Sequence, residues 1–461
     1  MLAVQKFYTF DRMNSTINLI SLFSGALGLD LGLEQAGFVL KAAVECNQFA
    51  IQTIKDNKDN LKNKKPIIID RPMSLKNITE ICDEILKKTT LKKSGCYVLA
   101  GAPPCQPFST AGKRASLKDS RSCGFRIFFK AIRILKPKFF VIENVKGILS
   151  AAKKHRPLAE RGPGFPQLTP DEEHGSAFIE LLDDIEKLCK DIGYCCSWGL
   201  INSADYGAPQ VRERVIFIGS LDGHFIWPGP THSKGGNNGT KKWVTLRKAL
   251  KGINDPEPVY NKFNKRVSNY LELIPEGSNW RALPNNLQRK AIGAAFKSWG
   301  GRSGFLRRLS WEKSAPTITN NPKTKATMLC HPTEIRPLSV RECARLQQFP
   351  DKWNFFGSVA AQYKQVGNAT PLSIGEAIGH AIAKAARKKN KGRHAKKLYC
   401  ADPMLLRRII QRPKTMLNPV KMRKIKSIEK AKSWLNNGEN KRKGFEKYES
   451  ISPKEAALVF K

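Results

Sequence analysis

What this sequence lacks narrows its class first. A run of about 18 or more apolar residues is missing, so no membrane-spanning helix is expected, and Met1 to Arg12 lack the apolar core of a signal peptide. Acidic residues are scarce. The 39 Asp+Glu against 80 Lys+Arg leave a formal net charge of +41, an excess beyond the needs of solubility that implies a polyanionic partner, nucleic acid before a membrane surface. Cys/His clusters with zinc-site spacing are missing, so no metal is expected. The 11 cysteines are odd in number and show no paired spacing, which fits a reducing compartment better than a disulfide framework. Cys195-Cys196 are adjacent, and Cys46, Cys82 and Cys343 sit in apolar-rich segments. Most cysteines are therefore expected to be buried hydrophobes. A hydrophobic content of 41% is enough for a real core, and 461 residues admit about two to three domains.

What is present is organised around Tyr97-Val-Leu-Ala-Gly-Ala-Pro-Pro-Cys-Gln-Pro-Phe-Ser109. Tyr97 to Ala100 reads as a short buried strand running into a Gly/Pro-rich loop, the kind of place where open α/β sheets carry their chemistry. Pro104 and Pro107 stiffen the backbone around Cys105, which suits a positioned nucleophile; an inert cysteine in a turn fits the stretch equally well. Upstream, Asn18 to Gly37 reads as strand, Gly-containing turn and helix. Gly25 and Gly28 are expected to let backbone approach a ligand, and Gly37 to stop the helix. The next strand, Phe38 to Val44, ends in Glu45, about 20 residues past the turn, where a carboxylate can accept hydrogen bonds from ribose hydroxyls or can simply be a surface residue.

Further along, Lys113 to Arg126 is basic (Lys113, Arg114, Lys118, Arg121, Arg126): either a solvated loop or a mobile one that closes on phosphates. Ile127 to Leu135 looks helical, and the strand Phe139 to Ile142 ends in Glu143, at the same sheet edge as Cys105. Ala151 to His174 reads as a surface insertion and Glu180 to Asp191 as a helix. Before the strand Val215 to Ile218, Gln210, Arg212 and Arg214 face one side of an extended chain, and three polar heads there are not expected in the core. From Leu221 to about Pro332 the βαβ rhythm is lost, which suggests a smaller, loop-rich domain whose aromatics among cations (Trp280, Arg281, Phe305, Arg307, Arg308, Trp311) suit groove binding or ordinary packing. Ser339 with Glu342 forms a capping-box pattern, and Ser373 to Ala386 reads as an apolar helix. Residues 387–461 hold 23 Lys/Arg and 6 Asp/Glu. There Leu405, Leu406, Ile409 and Ile410 suit a short amphipathic helix in a largely mobile tail.

Six ordered motifs between Asn18 and Ala386 resemble those of the C5 cytosine-specific DNA methyltransferases of bacterial modification type. They are Phe23-Ser-Gly-Ala-Leu-Gly28, Gly101-Ala-Pro-Pro-Cys-Gln-Pro-Phe-Ser109, Glu143-Asn-Val145, Gln210-Val-Arg-Glu-Arg214, Arg336-Pro-Leu-Ser-Val-Arg-Glu-Cys-Ala-Arg-Leu-Gln-Gln-Phe-Pro350 and Gln365-Val-Gly-Asn-Ala-Thr-Pro371. Ala102, Leu27 and Thr370 depart from the usual residues, so the turn at Leu27 must tolerate a side chain.

The resemblance implies an α/β fold, a doubly wound, mostly parallel Rossmann-like sheet binding S-adenosyl-L-methionine, with a smaller loop-rich target-recognition domain. The division it implies is 14–219 completed by 362–386, then 220–361, then a basic extension 387–461. It implies catalytic roles for Cys105, Glu143, Arg212 and Arg214, and cofactor contacts from Phe23, Ser24, Gly25, Gly28, Glu45, Asp70 and Asn368. At the third motif either Asp70 reaches the adenine, or Pro72-Met73 take those positions and the adenine has no carboxylate partner there. The resemblance further implies double-stranded DNA as the partner, a cytoplasmic, nucleoid-associated monomer, and a possible cognate restriction endonuclease. An RNA cytosine-5 methyltransferase and a catalytically silent DNA-binding homologue are the rivals. The size of the domain after Gly219 argues against the first, and the presence of Cys105, Glu143, Arg214 and Asn368 against the second.

Overall fold

A computed structural model describes residues 17–95, 97–104, 123–154, 156, 166–223, 225–237, 239–297, 302–387 and 398–401. Cys105, the basic stretch from Lys113 to Arg121, and the Leu405–Ile410 segment lie outside the described residues.

The first half alternates strand and helix: β1 Asn18–Leu22, α1 Gly28–Gln35, β2 Val39–Glu45, α2 Gln48–Asp56, β3 Ile67–Asp70, α3 Ile78–Thr89, β4 Tyr97–Gly101, α4 Cys123–Leu135 and β5 Phe139–Val145. Then come α5 Ser176–Ile192, β6 Cys195–Asn202, the two-residue β7 Gln210–Val211, and β8 Glu213–Ser220. The main sheet has eight strands, the last of them β12 Leu398–Cys400, in the order β12-β6-β8-β5-β4-β1-β2-β3. Its pairings are parallel, save that β8 runs antiparallel to both β5 and β6. Both faces are covered, which is why the strands read as near-continuous apolar runs. Leu19, Val98, Val141 and Ile218 belong to the core on one face, with α1; Ile20, Leu99, Phe140 and Phe217 belong to the core on the other, with α3, α4 and α5. The strand order turns between β1 and β4, the place where such sheets open a crevice at the carboxyl ends of their strands.

After β8 the elements shorten: β9 His232–Ser233, β10 Lys241–Lys242, α6 Leu246–Leu250, α7 Lys265–Glu272, α8 Asn285–Ile292 and β11 Ala315–Pro316. A separate small core draws on Leu271, Ile274, Trp280, Leu283, Ile292, Leu306, Met328 and Cys330, a narrower stretch than the expected 220–361. Leu338, Val340, Cys343 and Phe355, inside that range, pack instead with Leu19 and Val98 on the main sheet. The capping box is present at α9 Val340–Leu346: Ser339 Oγ accepts from Glu342 N, and the Glu342 carboxylate accepts from Ser339 N at 2.6 Å. That carboxylate also receives two bonds from the buried Arg336, at 2.8 and 2.9 Å.

The chain then returns to the sheet through α10 Val359–Asn368 and α11 Leu372–Arg387. α11 lies against α1, and the two helices meet backbone to backbone. A Cβ on Gly32 would run into the Leu372 carbonyl, and one on Gly375 into that of Leu29. Two expectations need correction here. Leu398–Cys400, in the segment read as a mobile tail, pairs in parallel with Cys196–Trp198 at the sheet edge; three residues make too little pattern to be seen in a lysine-rich sequence. Cys46 is exposed, unlike Cys82, Cys195, Cys196 and Cys343, which are buried, because it directly follows the last residue of β2.

Because α1 and α11 touch without side chains between them, Gly32→Ala should force the helices apart. Overpacking of this kind costs ~1–3 kcal/mol, so the midpoint of thermal unfolding should drop clearly, whereas Lys65→Ala, at an exposed position, should leave it in place.

Candidate active site

Alternation along β5 and β8 decides which side chains meet. Glu143 shares its face with Phe139 and Val141, and Arg214 shares the same face with Ile216 and Ile218. In the antiparallel register Glu143 lies opposite Ile216 and Arg214 opposite Val145, so the two are diagonal neighbours, within reach of long side chains. Arg214 Nε donates to Glu143 Oε1 at 2.6 Å, with both side chains nearly buried. A buried pair of this geometry is far more costly to break than to keep, since removing one partner leaves an unpaired charge in the interior.

The loop that leads to Cys105 starts beside this pair. β4 and β5 are adjacent and parallel, so Glu143 and the Ala102-Pro103-Pro104 segment emerge at the same edge. Asn144 Nδ2 donates to Pro103 O at 3.2 Å, and Asn144 Oδ1 accepts from Val145 N. Gly124, at the start of α4, packs against Pro103 and Pro104. The described chain therefore leaves and returns at one place. Cys105 itself lies outside the described residues.

The structure separates the three polar residues that the extended reading put together. Gln210 is 0% exposed and Arg212 2%, although neither was expected in the core. Gln210 Nε2 donates to Leu346 O and to Gln347 Oε1, and its Oε1 accepts from Ile318 N. Arg212 donates from Nη1 to Ile318 O and from Nη2 to Gly367 O, each at 2.8 Å. Burial, reinforced by the nearby Arg214, pushes the Arg212 guanidinium down from its usual range, and Glu143 offsets part of this. β7 pairs with β11 while β8 joins β5 in the main sheet, and of the three only Arg214 bonds Glu143. Gln347 stands in the ninth motif, but nothing local marked it as a partner of Gln210.

At the carboxyl ends of β1 and β2 the turn Phe23–Leu27 faces Glu45. The Glu45 carboxylate accepts from Gly25 N at 2.7 Å, Cys46 N at 2.8 Å and Asn47 N at 2.9 Å. Its Oε2 takes only one of these bonds and keeps capacity for another donor. Phe23 is half-buried beside the turn. Ser24 faces inward, its hydroxyl donating to Ser21 O and Val44 O. Leu27 adopts φ 67°, ψ 26°, so the turn does tolerate a side chain, in the left-handed region. The expectation for Gly28 changes: a Cβ there would lie 2.5 Å from Thr370 O, so its bareness serves the Ala369-Thr370 turn that lies against it. Asp70 ends β3 opposite Glu45 and accepts from Gln48 Nε2 at 2.8 Å. Asn368 is the exposed last residue of α10.

Comparison with known proteins identifies the family. The family model for C-5 cytosine-specific DNA methylase matches residues 17–384. Among curated relatives, Type II methyltransferase M.Sau96I of Staphylococcus aureus is 32% identical, covering 80% of this chain and 76% of its own length. Type II methyltransferase M.PspPI of Psychrobacter sp. (strain TA137) is 34% identical over 79% and 78%, and M.Eco47II of Escherichia coli 32% over 82% and 81%. A crystal structure of a DNA modification methyltransferase encoded within an E. coli prophage shares the fold, with TM-score 0.53 at 22% identity, covering 81% of this chain and all of that one. The match across 17–384 and the relatives at 32–34% identity place this chain in the C-5 cytosine-specific DNA methyltransferase family.

Proposed function

We propose that the chain methylates carbon 5 of cytosine within a specific double-stranded DNA sequence, with S-adenosyl-L-methionine as donor, as the cytoplasmic, nucleoid-associated modification enzyme of a restriction–modification pair. The observation that carries this reading is the buried Arg214–Glu143 pair at the edge where the Cys105 loop begins.

The residues around the glycine turn fit the cofactor. Glu45 retains acceptor capacity for ribose hydroxyls, Phe23 offers a ring for the adenine, Ser24 and Gly25 shape the turn, Gly28 seats it on the turn after Asn368, and Asp70 lies one strand further out. When bound, S-adenosylmethionine supplies an electrophilic methyl group on a positively charged sulfur.

Cytosine carbon 5 is too weak a nucleophile to take that methyl group unaided. The Cys105 thiolate forms a bond to carbon 6, and the ring electrons move to make carbon 5 an enamine carbon. Glu143 hydrogen-bonds or protonates ring nitrogen 3, which draws electrons toward the ring during addition. Arg214 holds the base's carbonyl oxygen and offsets developing charge there. After carbon 5 is methylated its proton goes to a base, the carbon 5–carbon 6 double bond re-forms and the thiolate leaves. Stacked bases hide carbon 6, so the target flips out of the duplex at a cost of a few kcal/mol. Gln210 and Arg212 act in this scheme through the segments they hold.

Cys105→Ala should bind cofactor and DNA yet transfer no methyl group. A duplex with 5-fluorocytosine at the target should trap the wild-type chain covalently, because fluorine cannot leave as a proton does; turnover by the alanine variant, with contaminating enzyme excluded, would sink the assignment. Glu143→Gln should lose ~10²–10⁴-fold in rate with little change in DNA affinity, and a smaller loss than about tenfold would make Glu143 structural. Residues 402–461 carry 16 Lys/Arg against 6 Asp/Glu. Truncation after Ala401 keeps the edge strand, and should leave the methylated site unchanged. It should also lower the slope of log affinity against log salt by about 0.9 for each phosphate no longer neutralised. An unchanged slope would mean this segment does not touch DNA.

A further inference from the structure

The last residues of α10, from Val366, and the turn through Thr370 that leads into α11 touch two regions at once. On one side a Cβ on Gly28, the first residue of α1 after the glycine turn, would meet Thr370 O at 2.5 Å; on the other a Cβ on Gly367 would meet Asn320 N and Thr319 C at 2.5 Å. Thr319 and Asn320 continue from β11, which pairs with β7 and belongs to the segment returning from the small core. The turn is therefore a wedge between the cofactor side and the target-recognition side.

What fixes the wedge is a buried lattice of side-chain amides and one guanidinium. Gln347, 0% exposed, donates from Nε2 to Val366 O at 2.6 Å and Ala369 O at 3.1 Å, and its Oε1 accepts from Gln210 Nε2 at 2.8 Å. Gln210 passes the connection to Ile318 N, and Arg212 bonds Ile318 O and Gly367 O. Apart from the Gln210–Gln347 bond between side chains, these bonds go to backbone of the Ile318, Leu346 and Val366–Ala369 stretches, which are far apart in the chain, so moving a member leaves a buried polar group unsatisfied. Such networks tend to hold one arrangement or lose it as a unit.

We propose that Gln347 is a positioning residue for methyl transfer: through its amide, and with Gln210 and Arg212, it couples cofactor binding at the glycine turn, by way of the Ile318–Asn320 segment, to DNA binding by the region from which that segment returns. This rests on the functional reading above. Filling the cofactor side biases the turn, the turn bears on Thr319 and Asn320, and by linkage DNA must bias the cofactor site equally.

The test uses the full-length chain, S-adenosylhomocysteine as the cofactor probe, and a duplex bearing the site found by mapping methylcytosines in cells that express the chain. Wild type should bind the duplex more tightly with the probe present, in the roughly 5–150-fold range of such couplings. Gln347→Met, equal in length but without the amide, should bring that ratio to within about twofold of unity and lower kcat, while affinity for the probe alone changes by less than about threefold and thermal unfolding stays cooperative. A ratio preserved in Gln347→Met overturns the proposal, as does a wild-type ratio of one. If Gln347→Met does not fold, Gln210→Met, which keeps the Gln347 bonds to Val366 and Ala369, must lower the ratio on its own or the proposal falls. If wild type transfers no methyl group to DNA, both this inference and the functional reading fail; if it does and coupling survives the substitution, only the inference fails.

Discussion

The antiparallel insertion of β8 between β5 and β6 is the constraint on which the site depends. Were β8 parallel to β5, its amino end, with Arg214, would lie at the far edge of the sheet from Glu143. Running it backwards brings the start of β8 to the carboxyl end of β5, where Arg214 and Glu143 share a face and close to 2.6 Å. The cost of burying two charges is met by the pairing and by a further bond from Arg214 Nη1 to Glu213 O.

Around that pair the fold separates its tasks between the two edges of one crevice. β1 and β2 supply the glycine turn and Glu45; β4 and β5 supply the stiff proline segment and Glu143. Asn144 stitches the second group together through Pro103 O, so the backbone from which Cys105 follows is anchored to the strand that bears the acid. The glycine turn is anchored differently, by packing. α1 and α11 approach so closely that backbone meets backbone at Gly32 and Gly375, and this fixes where the turn before α11 can lie.

The basic excess is handled apart from the chemistry. In the described structure Arg212, Arg214 and Arg336 are buried and committed to carbonyls or carboxylates, so they are not among the cations a phosphate backbone could meet. On the proposed function, affinity for the polyanion falls to cations other than these three, as expected where phosphate contacts position and base contacts specify.

The strands and their loops could be read from the order of the amino acids. Four- and five-residue apolar runs punctuated by Gly and Pro leave little alternative to buried parallel strands, so β1, β2, β4 and β5, the turn at Gly25 and the edge position of Glu143 were all legible, as was the capping box at Ser339, a purely local pattern. The tertiary structure decided what each polar group faces. Gln210 and Arg212 looked like solvent-side heads because alternation reports a face but not what covers it; their partners, Ile318, Leu346, Gln347 and Gly367, lie more than a hundred residues further along the chain. Gly28 looked like a ligand-side glycine for the same reason, until Thr370 came to rest against it. Leu398–Cys400 became a strand only because the edge of β6 was there to pair with it. Local propensity fixes an element when its own residues satisfy its hydrogen bonds and burial; a buried amide or a three-residue edge strand is satisfied by distant chain, and only the assembled fold supplies it.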